Sequence, residues 1–360
     1  MNTSSYKPIN VAVVGCGYWG PNLIRNFAAL SECKVKMVCD SAKNRLVHMK
    51  KLYSDVETTS DFDQVLNDPV IDAVAIAVPV RFHFEMAKAV LEAGKHVFIE
   101  KPMATSTSEC KELLEQSIRQ NLTLMLGHTF IYSPPVRRAK KIIDDGDIGE
   151  IQYISSRRLN LGLFQSDINV AWDLAPHDIS IILYVFGELP VSVNCQGKAH
   201  ISPKIEDVTN MTLNFANGGF ATIQSSWLDP IKIREMTFVG SRRMLVYNDL
   251  EPIEKIKIYD KRVEAPPHYD TFAEFHYSYH HGDMYSPFIR QYEPLRRELK
   301  EFLDCIKTGA EPESSGWEGL EVVQVLEAAS KSLKNDGAIV KIKSYDRELI
   351  SFEDRKQAVA

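Results

Sequence analysis

The stretch VAVVGCGYWG, residues 11–20, decides the fold of the N-terminal part of this chain. Its first four residues are apolar and predict a buried strand, and the glycines that follow have the spacing Gly-x-Gly-x-x-Gly. Gly15 permits a tight turn, Gly17 lets the backbone approach a pyrophosphate, and Gly20 allows a helix to pack closely on the strand. The N-terminus of that helix offers free N–H groups to phosphates. The stretch predicts a dinucleotide-binding unit, with a glycine turn in a non-binding fold as the alternative.

An acidic residue about twenty positions later supports this reading. Asp40 ends a second predicted strand, at the position where a carboxylate binds the ribose hydroxyls of a dinucleotide. A carboxylate there repels a 2′-phosphate, so NAD is favoured over NADP, although Lys43 and Arg45 follow closely. The alternative is that Asp40 only caps the next helix.

Apolar strands alternate with amphipathic helices through the first third of the chain. This alternation predicts a Rossmann-type, doubly wound parallel sheet with helices on both faces, and an N-terminal domain over residues 1–126. The predicted strands are residues 10–14, 35–39, 73–78, 96–99 and 122–126, and the helices between them are residues 21–30, 42–52, 82–93 and 106–120.

The pattern changes after Gly127, where consecutive strands with short turns predict a second α/β domain, residues 127–360, on an open, mainly antiparallel sheet. Residues 263–287, rich in His, Tyr and Pro, are expected to form a long loop that contacts substrate or a neighbouring subunit. The predicted strands are residues 151–158, 191–199, 209–215, 220–227, 235–239, 243–247 and 255–259, and the helices are residues 135–144, 178–186, 293–307 and 317–334.

Composition narrows the class of protein. The 360 residues suggest two domains, and a hydrophobic fraction of 44% suits a globular core. The net charge of -6 with no basic tail disfavours nucleic acid as a partner. No apolar run is long enough for a membrane span, and the polar N-terminus lacks a signal-peptide core, so a cytoplasmic location is expected. Six scattered cysteines without a CxxC pair predict neither zinc nor disulfides.

Two clusters carry candidate chemistry. Lys101, in Glu100-Lys101-Pro102, follows a predicted strand, and open α/β sheets bind ligands beyond the carboxyl ends of their strands. A lysine there can hydrogen-bond a substrate hydroxyl or help move its proton, whereas the tripeptide alone equally suits a surface lysine.

A second cluster contains His276, His280, His281 and Asp283. The spacing of these residues is irregular for metal ligands, so we expect no metal.

A carboxylate and an imidazole are spaced by one helical turn. Asp173 and His177 are four residues apart, which places them on one face if the segment is helical. Such a pair gives a proton acceptor with a set tautomer. Alternatively, Pro176 marks a helix start with Asp173 before it, and His177 is structural.

These motifs occur in one order along nearly the whole chain. The glycine loop, Val78-Pro79 followed by His83, Glu100-Lys101-Pro102, Gly127-His128, and Asp173 with His177-Asp178 together resemble the Gfo/Idh/MocA family of oxidoreductases. The resemblance implies a Rossmann domain followed by a domain with an open sheet, which often serves as a dimer face. It also implies reversible hydride transfer between a sugar or cyclitol carbon and nicotinamide C4.

The same resemblance implies roles for particular residues. Lys101 would position the reacting hydroxyl, His177 would be the acid/base, and Asp173 would orient substrate and histidine. The substrate side would also involve His128, Arg157 and Trp172. The residues expected to border the cofactor are Gly15, Gly17, Tyr18, Trp19, Gly20, Asp40, Val78, Pro79, His83, Glu100, Lys101 and Pro102.

Two stretches, GYWGPN at residues 17–22 and SDINVAWD at residues 166–173, are similar to family members of surface-polysaccharide biosynthesis that act on nucleotide-linked sugars, such as UDP-N-acetylglucosaminuronate 3-dehydrogenases. They imply oxidation at C3 and a homodimer or homotetramer. Tyr18 and Trp19 suit stacking or core packing equally, and Arg157 and Arg158 suit either an anionic substrate or a solvated face. A free aldose, inositol or amino sugar as substrate, or a non-catalytic binder of NAD or sugar, are the alternatives.

Overall fold

The computed structural model describes residues 7–264, 277–345 and 347. They group into two compact units. The first unit contains the chain up to Tyr132, the segment Glu293–Gln324 and the residues described from Ser344 onward, and the second contains Ser133–Tyr292 and Val325–Lys343. No sequence pattern indicated that a C-terminal segment returns to the first unit.

The first unit is built on a six-stranded parallel sheet in the order β3-β2-β1-β4-β5-β6, which confirms the predicted doubly wound sheet. The three-residue edge strand β3 was not predicted because it is polar and mostly exposed. The strands are β1 (Ile9–Val14), β2 (Cys33–Cys39), β3 (Glu57–Thr59), β4 (Ala73–Ile76), β5 (His96–Glu100) and β6 (Leu124–Gly127).

Helices connect these strands, and local signals explain where they begin. Asp61 accepts a hydrogen bond from the Asp63 N–H, and Ser106 accepts one from the Glu109 N–H, so each caps the helix that follows it. The helices are α1 (Gly20–Ala28), α2 (Lys43–Leu52), α3 (Phe62–Asn67), α4 (His83–Glu92) and α5 (Thr107–Arg119), of which only the short α3 was not predicted.

The second unit contains a nine-stranded sheet in the order β14-β13-β12-β11-β7-β10-β9-β8-β15. Its pairs are antiparallel except for β10 with β7, which confirms a mainly antiparallel sheet. The strands are β7 (Ile151–Leu161), β8 (Ser192–Lys198), β9 (Val208–Asn214), β10 (Phe220–Ser226), β11 (Leu228–Gly240), β12 (Met244–Asn248), β13 (Ile256–Glu264), β14 (Ser278–Tyr285) and β15 (Val340–Lys341).

Strand β14 corrects the predicted loop over residues 263–287. The edge strand is exposed along nearly its whole length, so its sequence lacks the apolar alternation by which a half-buried strand is recognised. Residues 265–276, including His276, lie outside the described part of the chain.

The second unit also contains α6 (Pro134–Asp144) and α7 (Val170–Phe186). Helix α7 begins eight residues before the predicted start at 178, with Pro176 inside it. Asn169 caps it by accepting the Trp172 N–H at 3.2 Å. Proline is typical of the first turn of a helix, so Pro176 led to a predicted start of α7 that is too late.

Two further helices follow β14 along the chain, α8 (Pro294–Thr308) and α9 (Gly316–Lys334). Helix α8 belongs to the first unit, where it packs against α1 and against the 3₁₀ turn Thr129–Tyr132 that follows β6. Its buried Phe302 meets Phe98 of β5 edge-on, with ring centroids 5.8 Å apart. This packing brings acidic residues of α8 towards the carboxyl end of β6.

Candidate cofactor and catalytic residues

The glycine loop has the geometry that a dinucleotide requires. Gly15 has φ +96°, and a Cβ there would lie 2.3 Å from the Ala77 carbonyl oxygen, so only glycine fits. A Cβ on Gly17 would meet only the Arg45 guanidinium, at 3.7 Å, so the backbone stays open to a ligand. Helix α1 begins at Gly20, and its N-terminal N–H groups can bind phosphate.

Asp40 lies beside this loop at the end of β2. Its buried carboxylate accepts the Cys16 N–H at 2.6 Å and the Ala42 N–H at 2.7 Å, and Arg45 lies 3.5 Å away. The second bond is a turn contact before α2, while the first ties the carboxylate to the glycine loop. Asp40 therefore does more than precede a helix, and it lies where ribose hydroxyls are expected.

Tyr18 and Trp19 differ sharply although they are adjacent. The Tyr18 side chain is 92% exposed, whereas the Trp19 indole nitrogen is buried and lies near enough to the Glu100 carboxyl to lower its pKa. Of the two predicted roles, stacking on a ligand suits the exposed Tyr18, whereas core packing suits Trp19, which lies partly in the interior.

His83 joins the loops that follow β4 and β5. Its Nε2 lies 2.8 Å from the Val78 carbonyl oxygen and its Nδ1 lies 2.7 Å from the Pro102 carbonyl oxygen. Burial lowers the pKa of the imidazole, although both carbonyls act in the opposite direction. His83 therefore fixes two segments expected to border the cofactor, Val78-Pro79 and Glu100-Pro102.

Lys101 follows the carboxyl end of β5, on the sheet edge where ligands of this fold bind. The Lys101–Pro102 peptide is cis. The carboxylate of Glu100 lies over Gly127, where a Cβ would come within 2.8 Å of it. Burial raises the pKa of Glu100 to about 7, against the charge of Lys101.

His128, predicted as a substrate contact, is 1% exposed, and neither ring nitrogen has a hydrogen-bond partner among the described residues. Burial, followed by the charge of Lys101, lowers its pKa to about 4. The imidazole is therefore neutral at ordinary pH and lies in the interior of the first unit.

In the second unit a buried ion pair holds helix α7 on the sheet. The Arg158 guanidinium donates to both carboxylate oxygens of Asp178, at 2.8 and 3.1 Å, and Ser156 donates to the same carboxylate at 2.9 Å. The Arg158 guanidinium is thus occupied by a buried ion pair within the protein. Its neighbour Arg157 is half-exposed and pairs with Glu235 at 2.7 Å.

Asp173 and His177 lie on α7 one turn apart, so the predicted shared face is confirmed. The Asp173 carboxylate accepts the indole N–H of Trp227 at 3.0 Å, and Trp227 is 1% exposed. Sequence reasoning missed Trp227, whose only signal was an aromatic residue at the end of a predicted strand. Trp172 instead donates its indole N–H to Ser330 at 2.8 Å.

The described residues contain neither a metal-binding cluster nor a membrane-spanning helix. Among residues 7–264, 277–345 and 347, no group of three or more His, Cys, Asp or Glu side chains is placed to hold a metal ion. His280 instead lies 3.0 Å from Asp260. Within the same residues, no helix has both the length and the apolar character to cross a bilayer. All six cysteines are buried thiols.

Comparison with known proteins identifies the family. Residues 9–128 match the model of the oxidoreductase family with an NAD-binding Rossmann fold, and residues 136–246 match the Gfo/Idh/MocA C-terminal domain. The chain belongs to the Gfo/Idh/MocA family. It is an NAD-binding oxidoreductase, as the glycine loop and Asp40 indicated.

Similar proteins cover the chain almost end to end. The uncharacterized oxidoreductase YrbE of Bacillus subtilis is 25% identical over 91% of this chain and 95% of its own length. Myo-inositol 2-dehydrogenase of Thermotoga maritima is 22% identical over 92% and 98%. The structure of UDP-N-acetylglucosamine 3-dehydrogenase GnnA from Acidithiobacillus ferrooxidans has a TM-score of 0.76 at 23% identity, over 92% and 99%, and shares the fold.

Proposed function

We propose that this protein is an NAD-dependent dehydrogenase that transfers hydride between C3 of a nucleotide-linked sugar and nicotinamide. The observation that carries the catalytic part is helix α7, which presents Asp173 and His177 one turn apart, with the Asp173 carboxylate fixed by the buried Trp227 indole. A carboxylate held in one orientation beside an imidazole is the arrangement that general base catalysis requires.

The chain's own residues then have separate tasks. His177 takes the proton of the reacting hydroxyl as the carbon is oxidised to a ketone, and returns it in the reverse direction. Lys101 donates a hydrogen bond to the same oxygen, and Asp173 orients the substrate and the imidazole. The nicotinamide supplies the hydride acceptor, so that NAD and the alcohol become NADH, a ketone and a proton.

The carboxylate of Asp40 supports NAD over NADP. It is buried at the end of β2, with its oxygens beside the glycine loop. A 2′-phosphate placed there would face a negative charge, and the Arg45 guanidinium that would attract it lies beside the Asp40 carboxylate.

Two features support a nucleotide-linked sugar and a place in polysaccharide precursor synthesis. The stretches at residues 17–22 and 166–173 are similar to those of enzymes acting on such sugars, and the solved relative GnnA is described as a UDP-N-acetylglucosamine 3-dehydrogenase. We expect a cytoplasmic homodimer or homotetramer. A free inositol is the second candidate, because myo-inositol 2-dehydrogenase matches over nearly its full length.

The test follows NADH absorbance at 340 nm with the purified protein. NAD or NADP is supplied with UDP-N-acetylglucosaminuronate, UDP-N-acetylglucosamine, glucose or myo-inositol, and we expect NADH only with NAD and a nucleotide sugar. Signal with a free sugar alone would keep the reaction and discard the substrate class. No signal in either direction, keto-sugars included, would favour a non-catalytic binder.

Lys101→Met tests the assigned role. We expect it to lower turnover by about 10²-fold or more, with only a small change in NAD affinity. Lys88→Met is the control, since Lys88 is a surface residue of α4 paired with Glu112 at 2.7 Å. An equal loss of turnover and NAD affinity in Lys101→Met would contradict the role.

A further inference from the structure

Two carboxyl groups are buried together in the first unit, and no assigned role accounts for the second. Glu298, on α8, is 0% exposed, and its Oε2 accepts the Thr129 hydroxyl at 2.7 Å. Glu100 lies near the same segment, since its carboxylate lies over Gly127. Oxygen Oε1 of each glutamate is buried without a hydrogen-bond partner.

Two neighbouring carboxyl groups in a buried setting do not both ionise easily, because burial and a like charge both favour the neutral acid. Burial, followed by the charge of Glu100, raises the pKa of Glu298 well above its usual range. Glu100 differs because the Lys101 ammonium favours its ionised form. The negative charge of the pair therefore resides on Glu100.

We propose that Glu298 is a positioning residue that acts through Glu100: it remains a neutral carboxylic acid beside the segment 127–129, so that Glu100 is the ionised carboxylate that partners Lys101. The inference rests on the proposed role of Lys101. A single carboxylate charge favours the ammonium form of Lys101, and a second charge nearby would hold its proton more tightly.

The surrounding groups are consistent with this charge assignment. His128 is neutral because burial depresses its pKa, so it adds no positive charge. Burial raises the pKa of Tyr132 well above its usual range, so this phenol is also neutral. The titratable and charged groups that face the pair are Lys101, His128, Tyr132 and Glu301.

The first test needs no substrate and reads the protonation state directly. Infrared spectra of the full chain at about pH 8, above the usual pKa of a carboxyl group, should contain the C=O band of a protonated carboxylic acid. The band should disappear in Glu298→Gln and persist in Asp304→Asn, an exposed acid on the same helix. Identical spectra for the wild type and Glu298→Gln would overturn the proposal.

The second test uses the dependence of stability on pH. An acid whose pKa is raised by folding binds its proton more tightly in the folded state, so its contribution to stability is lost as pH rises above the usual glutamate range. The melting temperature of Glu298→Gln should therefore gain on that of the wild type, by roughly 8–16 °C between about pH 5 and pH 8 for a group that keeps its proton throughout. A difference that stays constant across this range would contradict a neutral Glu298.

The third test is the pH profile of turnover, and a structural role alone would not shift it. Because Glu100 is the charged partner of Lys101, its protonation should contribute an acidic limb to the profile. Glu298→Ala should admit water, lower the pKa of Glu100 from about 7 and move this limb to lower pH. The uncharged amide of Glu298→Gln resembles a neutral carboxylic acid, so the acidic limb of this variant should lie closer to that of the wild type. Equal shifts in both variants would mean that Glu298 is ionised. Since the first two tests need no activity, their outcome is separate from that of the proposed reaction.

Discussion

Two clusters of polar groups, one in each unit, are handled in opposite ways. On α7 of the second unit the carboxylates are bound: Asp178 by Ser156 and Arg158, and Asp173 by Trp227. At the carboxyl edge of the first unit's sheet, several buried atoms lack hydrogen-bond partners among the described residues. Those atoms belong to Glu100, His128 and Glu298.

The difference shows what each region contributes. A completed network holds its side chains in one geometry before any ligand arrives, and is expensive to break. Unpaired buried groups instead cost free energy in the folded chain, and are relieved by neutralisation. We infer that the second unit supplies fixed orientation, while the first supplies a charge state that depends on pH.

The largest expected effect on stability comes from breaking the buried ion pair between Arg158 and Asp178. Arg158→Met leaves the Asp178 carboxylate buried without its cation, which should cost about 3–5 kcal/mol in the free energy of unfolding. Arg157→Met is the matched control on the same strand, because its pair with Glu235 is partly exposed and should contribute at most about 1 kcal/mol. Urea denaturation measures both, and similar losses would remove the contrast between paired and exposed charges.

An intermediate effect is expected at Trp227. Trp227→Phe removes the indole N–H that binds the Asp173 carboxylate, an interaction with a charged group that is typically about 1.5–3 kcal/mol. Turnover should fall by about tenfold or more, while NAD affinity stays close to that of the wild type. Ser330→Ala, which removes the acceptor of the Trp172 indole, is the control. If it lowers turnover equally, Trp227 has no special role in orienting Asp173.

The smallest effect should arise from neutralising Glu100. At low pH, where this carboxyl is protonated in the folded and the unfolded chain, Glu100→Gln should change the stability of the ligand-free protein by about 1 kcal/mol or less, in contrast to Asp178→Asn, which breaks a pair. Burial raises the pKa of Glu100 to about 7, so the wild type loses stability as pH rises from the usual glutamate range to about 7. Thermal melts should therefore show Glu100→Gln gaining on the wild type over that range and levelling off above it. Equal losses of stability in Glu100→Gln and Asp178→Asn would contradict the difference between the two clusters.

Local patterns were read correctly where a few neighbouring residues determine the conformation. The strand, the glycine loop and the helix occupy one continuous stretch, residues 9–28, and the structure reproduces them. The pattern failed for the start of α7, where the Asn169 cap and the buried face prevail over the signal of Pro176. It also failed for β14, whose exposed residues carry no alternation.

By itself, the sequence determined the family, the two kinds of sheet, the cofactor class and the carboxyl-edge position of Lys101, because these follow from short motifs in order. Only the tertiary structure decided which partners those side chains have. Trp227 reaches Asp173 across 54 residues, and Glu298 reaches Thr129 across 169. Such contacts depend on how distant segments pack, and no local spacing along the chain encodes that packing.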